Sequence, residues 1–426
     1  RKNNGAKRDM HYEMEEEEHV VYPDDPDFDI NKARLFTTVP RICVRYECVP
    51  MRFIKHVYKI HTYTQEGRLF EGKTPASAFL NSSYDGSFIA GLMELRYIQS
   101  LPVERIINYF ESHGFTLKKP TAHKLIEKAS SLFENLYKCI RQTALSDPYK
   151  AADETYYKIL VPEKNSKGKG VRKGYLWVVV GINTRMIYLL YDDGSRSERV
   201  ILNELGSCKG IIQSDGYSPY RKLESDAYPN ITRIPCLQHI KRKFIDCGEK
   251  DPDAKRIVEL INALYQNEHK HKVGVEGWTV EQNLMHRKKY APDILGEIKD
   301  VLDEIEERGD LLPKSELQEA ITYLRNEWNA VVDIFNYGDT YLDNNMVERM
   351  NRYISLSRKN SLFFGSHKGA ERGAILYTIA LTCRMHKVNL FEYLTDVINR
   401  TAEWQPNTPI EKYRELLPDR WEKAND

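Results

Sequence analysis

Apolar residues along this chain change period twice, and each change marks a change of architecture. Between residues 41 and 65, RICVRYECVPMRFIKHVYKIHTYTQ is dense in β-branched and aromatic residues, which predicts a small β unit. From Ser100 the spacing becomes helical. Val103, Ile106, Ile107 and Phe110 share a face, Ser100 is placed to cap, Pro102 suits the first turn and Gly114 ends the run. A second helix is expected from a Thr121 cap, with Ala122, Leu125, Ile126, Ala129, Leu132, Phe133 and Leu136 at helical spacing. The short basic link FTLKKP between them fits a helix-turn-helix or a plain helical hairpin equally well.

Between Tyr149 and Pro235 the period shortens. TYYKILV, GYLWVVVGI, RMIYLLYDD, KGIIQSD and ITRIP predict five strands, and SRSERVILNEL predicts a helix between the third and fourth. Three closely joined strands, a crossover helix and a further strand make a mixed sheet, the order expected of an RNase H-like α/β core. From about Asp253 to Tyr337 the chain is helical and highly charged, too long for a loop, and reads as an inserted helical subdomain. Helices with apolar faces return from Asp343 to about Arg400; one of them, AILYTIALTCRMH, meets an Arg too early to span a membrane. The expected division is an acidic, disordered arm (1–36), a small β-rich unit (37–80) and a helical, DNA-binding region (81–147). The α/β core follows in two parts (148–252 and 341–402) around the insertion (253–340), with a C-terminal tail (403–426).

Composition alters this picture in three ways. With 426 residues the chain should hold two or three domains, since single cores stop growing at roughly 250 to 300 residues. Its 63 basic and 62 acidic residues nearly cancel, so a polyanionic partner would have to be met by local segregation of charge. Such segregation exists: residues 11–30 carry nine acids and no Lys or Arg, whereas Val347 to Arg372 carry six Lys or Arg against two Glu. Seven scattered cysteines without a C-x-x-C pair suit a reducing cytoplasm, and no apolar run or signal peptide suggests a membrane. Cys43 and Cys48 lack the second half of a zinc site, so zinc is not expected there. The chain begins with Arg rather than Met, which leaves its native start open.

Candidate chemistry rests on position. Asp153, in ADETYYKIL, is expected at the start of the first strand, and Asp215 ends IIQSD just before Gly216. Carboxylates at neighbouring strand ends can converge where α/β sheets usually build their sites, although Asp215 is equally a turn residue of Asp-Gly. In LDNNMVERMNRYI, Glu348 has three readings. Asn345-x-x-Glu348 fits a capping box, Arg352 is placed for an i,i+4 ion pair, and Glu348 stands beside the apolar stripe Val347, Met350, Ile354, where it could face the sheet. Three gathered carboxylates would repel unless a cation joined them, and hard oxygen donors point to magnesium or manganese. Two such ions about 3.5 to 4 Å apart suit phosphodiester chemistry. Lys241, Arg242, Lys243, Arg352, Arg358 and Lys359 would then meet a DNA backbone. His239, in CLQHIKRKF, is either structural or part of the site wall; Cys236 three residues earlier suggests zinc but leaves two ligands missing.

The motifs ADET, IIQSDGYSPY, CLQHIKRKF and above all DNNMVERMNRYISLSRKNSLFFGSHKGAERGA resemble those of transposases of the insertion-sequence 66 family, a group of bacterial DDE transposases. The similarity runs from about Pro40 to Arg400, and the last block is the most specific through RKN, F-x-GS and GAERGA. The resemblance implies that Asp153, Asp215 and Glu348 are a catalytic triad binding two metal ions, with His239 and Arg349 accessory to it. It implies nicking at transposon terminal repeats, then attack of the freed 3′-hydroxyl on target DNA. It also implies a DNA-bound dimer or larger assembly and a cytoplasmic bacterial setting, with or without accessory proteins of the same element. Two departures stand out: only Cys43 and Cys48 occupy the place of the family's Cys-rich module, and Leu237 replaces its usual aromatic. A transposase-derived DNA-binding protein without catalysis, and a metal-dependent nuclease of the same fold, are the competing readings.

Overall fold

The computed structural model describes residues 51–56, 62–65, 68–71, 78–79, 82–164, 168, 170–248, 251–270, 277–402, 404 and 407–422. The acidic arm and the Cys43–Cys48 pair lie outside the described residues. Two short antiparallel strands, β1 (Thr62–Gln65) and β2 (Arg68–Glu71), precede the helices α1 (Gly86–Met93), α2 (Val103–Ser112), α3 (Lys119–Leu132) and α4 (Glu134–Ser146). A sheet follows, built from β3 (Tyr149–Leu160), β4 (Val171–Gly181), β5 (Ile187–Leu190), β6 (Gly210–Ser214) and β7 (Ile231–Pro235). Helix α5 (Glu198–Leu205) precedes β6, α6 (Ser218–Arg221) follows it, and α7 (Leu237–Asp246) follows β7. Three long helices, α8 (Pro252–Lys270), α9 (Val280–Arg308) and α10 (Glu316–Ile334), then lead to α11 (Asn345–Asn360), α12 (His367–Met385) and α13 (Leu390–Ala402).

The sheet order is β5-β4-β3-β6-β7, antiparallel from β5 to β3 and parallel from β3 to β7. All five expected strands and the crossover helix are therefore present, in a mixed α/β arrangement. Val178, Val179 and Val180 of β4 are all fully buried, so both faces of the sheet are covered, which is why this strand reads as a continuous apolar run rather than an alternation. Helix α12 covers one side of β5: Thr378 Oγ1 accepts from the Leu189 amide (2.9 Å) and Thr382 Oγ1 donates to the Ile187 carbonyl (2.9 Å). Six successive buried residues, Leu376 to Leu381, make α12 an interior helix, which explains its nearly membrane-like sequence. Among the described residues no helix is long and apolar enough to cross a membrane.

Several local expectations give way. The first strand starts at Tyr149, so Asp153 sits within it rather than at its start; Ala151 and Ala152 are fully covered and extend the run toward the parallel partner β6. Ser100 caps nothing and takes a left-handed backbone (φ 58°), while Pro102 is the N-cap of α2. The next helix begins before Thr121, at Lys119, because Pro120 in its first turn already holds a helical φ. It then breaks at Phe133, dividing the expected single helix into α3 and α4. Helix α1 and the π-helical turn Glu94–Ile98 precede the expected helical start altogether.

Residues 253–340 carry α8, α9 and α10, and buried charge ties them to the sheet. Arg233 of β7 is 2% exposed and bonds Glu327 of α10 (2.5 Å, itself 1% exposed), Glu224, the Ser214 hydroxyl (3.0 Å) and the Asp215 carbonyl (2.8 Å). Arg287 of α9 plays the corresponding part at the exit of the segment, reaching Glu268, the carbonyls of Ile334 and Tyr337, and Thr340. Breaking a buried pair strands the remaining charge, so Arg233→Met is expected to destabilise the fold by about 3–5 kcal/mol in urea unfolding. Adding Glu327→Leu to that variant should recover most of the loss; a double variant no better than the single one would refute the assignment.

Candidate active site

Asp153 and Asp215 stand on adjacent parallel strands, the first within β3 and the second immediately after β6. Asp153 Oδ1 accepts from the Glu154 amide (2.8 Å) and Oδ2 from Asn351 Nδ2 of α11 (2.5 Å). Burial, then the charges of Glu154 and Asp215, push its pKa up to about 8. Asp215 Oδ1 accepts from the Tyr217 amide (3.1 Å), and the Gly216 amide donates to Tyr323 Oη of α10 (2.8 Å), which fixes the turn carrying Asp215. A Cβ on Gly216 would lie 2.4 Å from that hydroxyl, so this close approach is reserved for glycine.

Glu348 occupies the first turn of α11, but neither local reading of it holds. The N-cap is Asn344, which makes no side-chain capping bond; its amide group instead donates to the Ala152 carbonyl (3.0 Å). The Asn345 amide turns to Asp343 Oδ1 (3.1 Å), so the capping box is absent. Glu348 makes no ion pair with Arg352 either. Its Oε1 lies 3.6 Å from His239 Nδ1, and Cys236, His239 and Glu348 present ligand atoms all within 4.8 Å of one another. Among the described residues this is the one such three-residue group, and the triad Asp153, Asp215, Glu348 does not form one. The structure thus brings Asp153 to Asp215 and brings Glu348 to Cys236 and His239. Asn351, one turn beyond Glu348 on α11, links the two groups through its bond to Asp153.

The basic residues divide by their partners. Arg242, Lys243, Arg349, Arg352 and Lys359 are exposed, on the two helices that carry His239 and Glu348. Lys241 is half-buried, its ammonium 5.8 Å from the Tyr265 ring, and Lys243 stands 5.8 Å from the Tyr323 ring. Arg358 is engaged within the fold: it stacks on Tyr156 (4.0 Å) and donates to the Tyr156 carbonyl, pinning α11 to β3.

Sequence reasoning missed four contributors. Asn351 had a visible signal, lying three residues after Glu348 and so on its helical face. Glu154 was hidden beside Asp153; it pairs with Arg196 (2.5 Å) and accepts from Tyr220 Oη (3.3 Å). Arg196 also stacks over Tyr217 (4.1 Å), so Glu154 steadies the segment after Asp215 from the other side. Arg233 and Tyr323 reach the Asp215 turn from elements distant in sequence, and no spacing rule announces such contacts.

Comparison with known sequences gives the class of this chain, a transposase. The model of the IS66 transposase family matches residues 81–372, and the chain belongs to that family. Its relatives include three uncharacterized proteins of Sinorhizobium fredii. One, y4jD, is 25% identical over 370 residues, covering 84% of this chain and 70% of its own length. Another, y4hP, is 24% identical over 404 residues, covering 89% and 70% respectively. The third, y4qI, is 25% identical over 384 residues, covering 86% and 69%.

The raised Asp153 pKa has a thermodynamic consequence. The folded chain holds this proton more tightly than the unfolded chain, so ionising Asp153 opposes folding increasingly as pH rises from about 4 to about 8. Across that window, in chelator, Asp153→Asn should gain stability relative to wild type by roughly 2–5 kcal/mol. Urea unfolding at a series of pH values measures the difference, and parallel profiles would contradict the burial of Asp153 among other carboxylates at this strand.

Proposed function

We propose that this chain is a DDE transposase that cuts and joins DNA strands at the ends of an insertion sequence, using Asp153, Asp215 and Glu348 on an RNase H-like core. The observation that carries this reading is the buried Asp153 carboxylate on β3, its pKa raised by burial and then by the charges of Glu154 and Asp215, with Asp215 directly after the parallel strand β6 and the Glu348 helix anchored to Asp153 through Asn351. The strand order, antiparallel on one side of β3 and parallel on the other, supports the choice of core. Carboxylate oxygens crowded by burial and like charge fit magnesium or manganese, hard cations that would relieve the repulsion. When bound, two such ions polarise the reacting phosphate and its attacking and leaving oxygens.

Asp153, Asp215 and Glu348 hold that charge in place. The exposed Arg242, Lys243, Arg349, Arg352 and Lys359 hold the phosphate backbone in register. In the first step a water oxygen bonds to phosphorus and the 3′-oxygen leaves with a proton. In the second, that 3′-hydroxyl attacks a target phosphodiester and displaces its 3′-oxygen. Helices α2, α3 and α4 contribute to DNA contact, α8 to α10 form an inserted subdomain, and pairing of transposon ends requires at least two copies on DNA. That complex assembles in a bacterial cytoplasm, with or without further proteins of the same element.

The test incubates the protein with terminal-repeat DNA in magnesium or manganese. Cleavage and joining are expected in wild type, with losses greater than about 100-fold in Asp215→Ala and Glu348→Ala, since even residues that merely support metal ligands contribute 10- to 100-fold. Cleavage without joining would instead identify a nuclease, and binding without cleavage a transposase-derived DNA-binding protein.

A further inference from the structure

Cys236 is the N-cap of α7 and His239 lies three residues on, an arrangement that stacks the two side chains on one side of the helix start. Glu348 approaches from the first turn of α11. The His239 Nδ1 and Glu348 Oε1 atoms are both buried and neither has a hydrogen-bond partner. Their separation of 3.6 Å is too long for a hydrogen bond. It matches the edge of a tetrahedron whose centre holds a zinc ion, roughly 3.3–3.5 Å for Zn–N and Zn–O bonds near 2.0–2.2 Å. The sulfur of Cys236 lies within the same 4.8 Å cluster.

We infer that Cys236, His239 and Glu348 form a site for one thiophilic divalent cation, zinc in its ordinary form, and that its occupation withholds Glu348 from the hard-oxygen centre. The donor set decides the ion: thiol and imidazole favour zinc over magnesium, whereas Asp153 and Asp215 offer oxygen alone. On binding, the Cys236 thiol releases its proton to solvent, and thiolate plus carboxylate balance the two positive charges of the ion. Three protein ligands leave a fourth position for water. The missing ligands that counted against zinc at Cys-x-x-His are supplied in part by a helix more than a hundred residues downstream in the chain. The regulatory half of this inference rests on the transposase reading of Glu348; the binding half does not.

The experiment titrates the metal-stripped full chain with cobalt(II), followed by displacement with zinc. Wild type should give a near-ultraviolet thiolate-to-cobalt charge-transfer band at one equivalent, reversed by zinc. Cys236→Ser should abolish the band, while His239→Ala and Glu348→Gln, both at half-buried positions, should weaken cobalt binding at least about 10-fold. No thiolate band, or a band that survives Cys236→Ser, overturns the site. In magnesium-driven cleavage, stoichiometric zinc should inhibit wild type and spare Cys236→Ser; equal inhibition of both overturns the regulatory half. A cobalt band in a protein that cuts no DNA would leave this site standing and remove the transposase reading, whereas cleavage lost in Glu348→Ala without any cobalt band would do the reverse.

Discussion

Asn344 is the residue on which the arrangement of the site depends. Its side chain donates to the Ala152 carbonyl, one residue before Asp153, and its backbone amide donates to the sulfur of Cys236 (3.2 Å). Its own carbonyl accepts from the Glu348 amide (3.2 Å), the first turn of α11. One buried residue therefore sets the relative positions of β3, the start of α7 and the start of α11. A buried hydrogen bond contributes only about 1 kcal/mol net, but leaving a buried partner unsatisfied costs about 1–3 kcal/mol, so alternative placements of this loop are penalised more than its native bonds suggest. The constraint is one of geometry more than of stability.

A second set of bonds keeps the long helical segment from disturbing that geometry. Gln213, buried in β6, accepts from Tyr149 Oη (2.6 Å) and donates to the Tyr341 carbonyl (2.8 Å), while the Tyr341 amide donates back to Tyr149 Oη (3.0 Å). The Leu237 amide donates to the Leu342 carbonyl (2.9 Å). The chain returning from α10 is thus stitched to β3, β6 and α7 immediately before Asn344. Arg287 clamps the same return a few residues earlier. The return of this segment is fixed by buried polar groups in addition to the apolar packing of α8, α9 and α10.

Much of this was legible in the sequence, and the failures share a cause. Five strands, the crossover helix and the family followed from periodicity and motif, because residues such as Val178 to Val180 carry their burial in their own chemistry. Asp153 and Asp215 could be paired because strand order alone makes β3 and β6 neighbours. The environment of Glu348 could not be read: its cap, its predicted partner Arg352 and its observed neighbours Cys236 and His239 differ by which loop folds over the helix start, and local spacing carries no information on that. The capping signal pointed to Asn345, whereas the N-cap is Asn344, whose side chain is committed to a strand almost two hundred residues earlier. The helix starts at Ser100 and Thr121 failed for a more ordinary reason, since Pro102 takes the cap position of α2 itself and Pro120 in the first turn of α3 sets that boundary ahead of any side-chain cap.

The block that identifies the family most sharply consists largely of scaffold. Phe364 pairs with β3, its amide donating to the Lys158 carbonyl (2.8 Å) and its own carbonyl accepting from Leu160 (2.9 Å). Its ring packs on Tyr157 at 4.2 Å and against Gly373, where a Cβ would approach to 2.5 Å. Tyr377 donates to the Ser357 hydroxyl, and Arg358 stacks on Tyr156. Together these contacts hold the C-terminal half of α11 and the turn after it between α12 and the strand that bears Asp153, while Asn344 fixes its N-terminus. A helix held at both ends cannot slide, so the remaining freedom at Glu348 is rotation of its side chain.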